Sequence, residues 1–315
     1  MKLEGIEHIA LIGTGMIGSS LAALFSGNGY RVTMLAHSVK GEAGGRARYR
    51  QFFDELIKKK LVSEAQFKRC SELLSTSFEY EDIADADVVF ECVPENIELK
   101  YEVYKMIEEN CIQLKAAVST SSAKSPDDLA GGFERCKDRF LVAHPFNPAH
   151  LVPFVEIVKG EMTNAAAVSV IYALLESTGR KPIIANRSVP GFIATRLQHA
   201  LLREASYLVD EGIASPEDID KALMYSFMPR YTKVGLFQHQ DAAGLDMVKS
   251  IQDYLCPSLC CRTDTPDFIA EHFNKGELGM KTGKGIYDWP DEAQKDFHRK
   301  AAEPYFRFFD WDLPE

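Results

Sequence analysis

The chain has 315 residues, 46% of them hydrophobic and 26% charged, a length that predicts one large and one smaller domain. Its 36 Lys and Arg against 46 Asp and Glu leave a net charge of −10, which argues against nucleic acid or an anionic membrane as a partner. No stretch is apolar for the length of a membrane span. The seven cysteines show no metal-ligand spacing, and the N-terminus runs directly into a strand. These features predict reduced thiols, no metal site and a cytoplasmic location.

The first element is the apolar run His8–Ile12, followed by Gly13-Thr14-Gly15-Met16-Ile17-Gly18 and a helical pattern through Leu21, Leu24 and Phe25. Strand, GxGxxG and helix in that order is the dinucleotide-binding arrangement. Gly13 allows the tight turn, Gly15 lets backbone approach a pyrophosphate, and Gly18 permits close helix–strand packing. The second strand, Arg31–Leu35, should end in an acid that holds the adenosine ribose of NAD. That position is Ala36, followed by His37, Ser38 and Lys40, with Arg46 and Arg48 beyond. NAD is the expected cofactor. NADP is an equal alternative, because the missing carboxylate no longer repels a 2′-phosphate; His37 and Ser38 could equally bind a plain ribose.

Helices are predicted over Phe52–Leu61 and Ala65–Leu74. Ala86–Glu91 reads as a buried strand, followed by Cys92-Val93-Pro94-Glu95 and a helix carrying Lys100. Ala116–Thr120 is a further strand, ending in the hydroxyl cluster Ser119–Ser122. The ends of such strands face the cofactor crevice of an open parallel sheet.

A histidine then leaves a strand end in Phe140-Leu-Val-Ala-His144-Pro-Phe-Asn147-Pro, and the next extended run delivers Glu156. An imidazole poised near neutral pH, with a carboxylate to fix its tautomer, is the constellation of an oriented general base.

Taken with Pro190-Gly-Phe-Ile193 and Gly279-Met-Lys281-Thr-Gly-Lys-Gly-Ile-Tyr287, these motifs resemble the 3-hydroxyacyl-CoA dehydrogenase family over nearly the whole chain. The branch with gulonate and carnitine dehydrogenases and lambda-crystallins is included. The resemblance implies NAD(P)-dependent oxidation of the 3-hydroxyl of a 3-hydroxyacyl-CoA. His144 would be the base, Glu156 its partner, and Ser121 the holder of the substrate oxygen. It further implies that Glu95, Lys100, Asn147 and Lys281 line the cofactor. Two departures stand out. Thr195 occupies the place of the family's catalytic asparagine, and the histidine motif HPFNP looks more like the branch that handles free hydroxy acids. Only Lys59 matches a CoA-contacting position. A dehydrogenase for a free small 3-hydroxy acid is the alternative. A non-catalytic, crystallin-like nucleotide-binding protein is the reading from outside enzymology.

The fold expected is α/β, an N-terminal Rossmann-type doubly wound sheet over 1–187 followed by an all-helical substrate and dimerisation domain over 188–315. Apolar residues recur at helical spacing through Phe192–Glu211, and Ser215-Pro216 reads as a helix cap. The resemblance implies a homodimer through this domain. The aromatic tail from Phe306 to Trp311 is expected to pack.

Overall fold

β1 (His8–Ile12) is buried along its whole length, and the sheet extends outward from it on both sides. A computed structural model describes residues 2–314. Its other strands are β2 (Arg31–Leu35), β3 (Leu74–Ser77), β4 (Val88–Glu91), β5 (Ala116–Ser119), β6 (Phe140–Pro145), β7 (Phe154–Lys159) and β8 (Lys181–Ala185). They form one sheet in the order β3-β2-β1-β4-β5-β6-β7-β8. The pairings from β3 to β6 are parallel, β7 runs antiparallel to β6, and β8 is parallel to β7. Chain order reverses direction across β1, which has β2 on one side and β4 on the other. A crevice outside the carboxyl ends of the strands follows from that reversal.

Helices α1 (Met16–Gly27), α2 (Val39–Lys58), α3 (Glu64–Glu72), α4 (Ile97–Asn110), α5 (Pro126–Ala130) and α6 (Ala165–Ser177) belong to this part of the chain. Side chains alternate across the pleat. Ile9 and Leu11 join a core with Phe25, Phe53 and Phe90, while Ala10 and Ile12 join one with Val89, Tyr104 and Phe140. Burial on both faces explains why the strands read as continuous apolar runs.

The expected two-part α/β architecture is present, with three differences of detail. α2 begins at Val39, well before Phe52, with the Ser38 hydroxyl capping it by accepting the Gly41 N–H. Gly41, Gly44 and Gly45 weaken a helical reading, yet packing demands the last of them: a Cβ on Gly45 would sit 2.7 Å from Cβ of Thr14. β3 was not foreseen; α3 stops at Glu72 and the chain is extended from Leu74.

The third difference is the tail. The first compact unit is Met1–Ile193 together with Lys300–Glu315, and the second is Ala194–Arg299. Residues expected in a helical domain over 188–315 therefore return to the sheet-bearing unit. The cause is Trp311, buried against Phe53 at 5.9 Å between ring centroids and filling space that a Cβ on Gly27 would occupy. Asp312 N–H donates to Asn28 Oδ1 at 3.0 Å beside it.

The second unit contains α7 (Ala194–Asp210), α8 (Pro216–Tyr225), α9 (Leu236–Ala243), α10 (Leu245–Leu255), α11 (Asp267–Asn274) and most of α12 (Asp291–Ala302). Ser215 caps α8 as expected, accepting the Asp218 N–H. Asp210 accepts the N–H groups of Asp267 and Phe268 and an Arg262 contact at 3.3 Å, which fixes the start of α11. Between 194 and 299 no apolar side chain is buried. No helix among the described residues is long and apolar enough to cross a membrane.

Candidate active site

The glycine loop has three different reasons for its three glycines. Gly13 has φ of +111°, and a Cβ there would stand 2.7 Å from the Cys92 carbonyl oxygen. A Cβ on Gly18 would lie 2.0 Å from the Gly13 carbonyl, so α1 can cross β1 this closely only with glycine. At Gly15 nothing lies within 4 Å of a Cβ position. Its value is therefore the open backbone it presents. α1 starts immediately after it, with no side-chain cap and no acid in the first turn, so its first N–H groups are available to an anion.

Above this loop is a cleft of about 1000 Å³, lined among others by Gly15, Met16, Ile17, Ala36, His37 and Glu95. A cleft of this volume with a Cβ-free cradle and uncapped amides fits a dinucleotide with its pyrophosphate at α1.

On the floor beside the cleft lies a buried network. The Glu91 carboxylate, at the end of β4, receives Lys100 Nζ at 2.8 and 2.9 Å, the Tyr104 hydroxyl at 2.9 Å and the Ser119 hydroxyl at 2.7 Å. The Val93 N–H adds a fifth bond at 2.8 Å. Glu91 and Lys100 are each 1% exposed, so both charges depend on one another and on these bonds. Burial, and then Glu91, push the Tyr104 phenol far above its ordinary range. Cys92 borders the cleft, but desolvation and the Glu91 charge push its thiol up to about 12. It stays a thiol at neutral pH and is no nucleophile.

His144 and Glu156 face each other directly in the antiparallel β6–β7 register. His144 Nδ1 lies 3.1 Å from Glu156 Oε2. The other carboxylate oxygen accepts the Ile193 N–H at 2.7 Å. The imidazole is flanked by Phe146 at 5.1 Å and Phe192 at 5.7 Å between ring centroids. With Nδ1–H donating to the carboxylate, Nε2 keeps its lone pair, which is the tautomer a proton acceptor needs.

Residues 8–188 match the family model described as "3-hydroxyacyl-CoA dehydrogenase, NAD binding domain", and residues 191–289 match that of the C-terminal domain. The chain belongs to the 3-hydroxyacyl-CoA dehydrogenase family. It is an oxidoreductase of that family with an NAD-binding domain. The 5-formyl-3-hydroxy-2-methylpyridine 4-carboxylate 5-dehydrogenase of Mesorhizobium japonicum is 30% identical, covering 94% of this chain and 95% of that protein. An L-carnitine dehydrogenase of Oceanobacillus iheyensis is 36% identical over 76% of each. Among solved structures, that of a 5-formyl-3-hydroxy-2-methylpyridine 4-carboxylic acid 5-dehydrogenase, described as an NAD⁺-dependent dismutase, has a TM-score of 0.87. It is 27% identical, covering 96% of this chain and 97% of the other.

In this family member the expected site residues fall into distinct groups. Gly13, Gly15, Met16, Ile17, His37 and Glu95 line the cleft, and Gly18 packs beneath it. Lys100, expected along the cofactor, is instead held in the interior by Glu91, with its ammonium 3.9 Å from Glu95 of the cleft wall. Ser121 is buried and donates its hydroxyl to Glu95 Oε1 at 3.0 Å, while accepting the N–H groups of Ala123 and Lys124. Ser119 pairs with Val142 in the β5–β6 register, so Ser121 and His144, each two residues further on, leave adjacent strands at one level. Asn147 is exposed in the turn after β6. Lys281 is exposed in the second unit, in a turn held by the Gly279–Lys284 bridge, and Thr195 is the second residue of α7.

Sequence reasoning missed Glu91, Tyr104 and Ser119 as a group. The available signal was an acid closing an otherwise apolar strand, with a lysine nine residues later.

Proposed function

We propose that this protein catalyses reversible nicotinamide-dependent oxidation of the 3-hydroxyl of a small hydroxy compound. The observation that carries the reading is the His144–Glu156 pair, with Nδ1 committed to the carboxylate and Nε2 free. Gly15, Met16 and the first amides of α1 hold the dinucleotide, with His37 and Glu95 along its cleft. When bound, the dinucleotide supplies the acceptor for a hydride. His144 takes the hydroxyl proton at Nε2, and Glu156 stabilises the imidazolium that forms. Ser121 orients the substrate oxygen after releasing its bond to Glu95, which is a hydroxyl rotation rather than a backbone movement.

The family's name makes a 3-hydroxyacyl-CoA the first substrate to try. A second reading, a free small hydroxy acid, has a specific observation in its favour. Lys59, the one residue matching a CoA-contacting position, is ion-paired with Glu303 and lies 4.9 Å from the Phe306 ring centroid. The two relatives described above carry names of dehydrogenases for free small molecules, which adds to that reading. NADH and NADPH oxidation with acetoacetyl-CoA and with a panel of free 3-oxo acids separates the two. Rapid turnover of the thioester selects the first; turnover confined to free acids selects the second; none on either refutes the proposal and leaves a binding protein.

We further propose a cytoplasmic homodimer assembled through the second unit. Phe237, Tyr254 and Tyr225 are 86%, 83% and 81% exposed, and Leu236, Phe237, Leu245 and Val248 line an apolar groove. A helical unit with no buried apolar side chain gains its stability by covering such surface. Sedimentation measures the assembly directly; a monomer at micromolar concentration contradicts it.

A further inference from the structure

The adenosine end of the cleft differs chemically from a site built for an unmodified ribose. An NAD site of this fold places a carboxylate just beyond the second strand, where it accepts the ribose hydroxyls. Here that residue is Ala36, 7% exposed, lining the cleft, with its N–H fixed to the Ser77 carbonyl at 2.8 Å. The backbone is therefore in place and only the acid is absent.

Glu95 and Glu102 line the cleft as well, but the segment that follows Ala36 supplies no acid to its wall. Glu42 is the one acid among residues 37–48. Its carboxylate accepts the Thr76 hydroxyl and Arg46 Nε, the latter at 3.2 Å, and it is not part of the cleft wall.

One basic side chain, His37, is on the wall at the same end, and Lys40, Arg46 and Arg48 follow it in α2. His37 is exposed on the cleft wall, and Lys40 is exposed in the first turn of α2. Arg46, with a half-exposed side chain, donates to Thr76 Oγ1 at 2.6 Å at the end of β3. Arg48 donates to the Thr14 carbonyl of the glycine loop at 2.6 Å. These residues concentrate positive charge in a chain whose net charge is −10.

We infer that this end of the cleft takes a ribose bearing a 2′-phosphate, so that the cofactor used is NADP(H) rather than NAD(H). The inference rests on the cofactor reading of the cleft given above and adds its specificity. A phosphate monoester carries close to two negative charges at neutral pH. A carboxylate at position 36 would repel it, whereas His37, Lys40 and Arg46 can donate to it. The ion pair Arg46 has with Glu42 is an exposed i,i+4 contact worth only a few tenths of a kcal/mol, so recruiting the guanidinium costs little.

The test is direct binding to the whole protein, followed by nicotinamide fluorescence, with NADPH and NADH titrated separately. Charge-assisted bonds to the phosphate predict that NADPH binds about tenfold or more tightly than NADH. Adenosine 2′,5′-bisphosphate should displace either one better than AMP does. Ala36→Asp should reverse the order. Equal affinities, or tighter binding of NADH, overturn the inference while leaving the cofactor cleft intact. Binding of neither dinucleotide overturns the cleft assignment itself, and the inference with it.

Discussion

Two histidines six residues apart, His144 and His150, sit at opposite ends of one turn and have opposite electrostatic surroundings. His144 meets a carboxylate, Glu156, at 3.1 Å. His150 is 1% exposed and meets a hydroxyl, with Nδ1 2.7 Å from Ser20 Oγ, while its ring packs at a tilt against Phe52 with centroids 4.3 Å apart. Arg180 lies beside it and donates to its carbonyl. Burial first, and then Arg180, push the His150 pKa down to about 3. The same side chain is thus a candidate proton acceptor at one end and, at the other, a packing element that is neutral at neutral pH. Burial disfavours the charged ring at His150 and the Arg180 charge adds to it, whereas His144 has a carboxylate beside it that can stabilise a positive ring.

The contrast breaks most visibly at His144. His144→Ala should lower turnover by roughly 10²–10⁴-fold, with nicotinamide dinucleotide affinity retained because the ring is outside the cleft wall. Turnover equal to the unmodified protein would remove the residue from the mechanism. The corresponding change at His150, to Phe, should leave turnover at neutral pH close to its starting level.

Glu91 sharpens the comparison from the side of the carboxylate. Its partner, Lys100, is sealed in with it at 2.8 Å, so the pair supports the fold. Glu91→Gln leaves a buried ammonium without its counter-charge and should cost about 3–5 kcal/mol, lowering Tm by on the order of 10 °C. Adding Lys100→Met should recover part of the loss. A single variant as stable as the original would contradict the network's role.

The smallest expected effect is the pH dependence at His150. Its folded pKa lies below the ordinary value of 6.5, so between about 6.5 and about 3 the unfolded chain binds the extra proton. Stability contributed by the neutral ring is complete above pH 6.5 and is lost as pH falls, at up to roughly 1.4 kcal/mol per pH unit. Comparing Tm against pH for His150→Phe and the unmodified protein isolates this slope. Parallel curves would show that the ring is not held neutral.

Much of this was legible in the sequence because it is written locally. Gly13 to Gly18 encode a turn and two close approaches within six residues. His144 and Glu156 are twelve apart, so one antiparallel hairpin brings them opposite each other. What was not legible depends on distant partners. Lys100 reads as a residue for the cofactor until Glu91, Tyr104 and Ser119 are seen to enclose it. The neutrality of His150 comes from burial and from Arg180, which lies between α6 and β8, and Trp311 joins the sheet unit because Gly27 leaves room for it. Start and stop signals placed α8 correctly but not α2, whose Gly45 is required by contact with Thr14.

The central claim is that Glu156 acts through His144, and a double-mutant cycle on turnover tests it. Turnover would be measured for His144→Ala, Glu156→Gln and the two together, each with cofactor affinity determined on the same preparation. If the carboxylate serves only to orient and stabilise the imidazole, the double variant will be no slower than His144→Ala alone, because a unit once broken cannot be broken again. If the two losses multiply instead, the residues act independently and the paired general base is wrong.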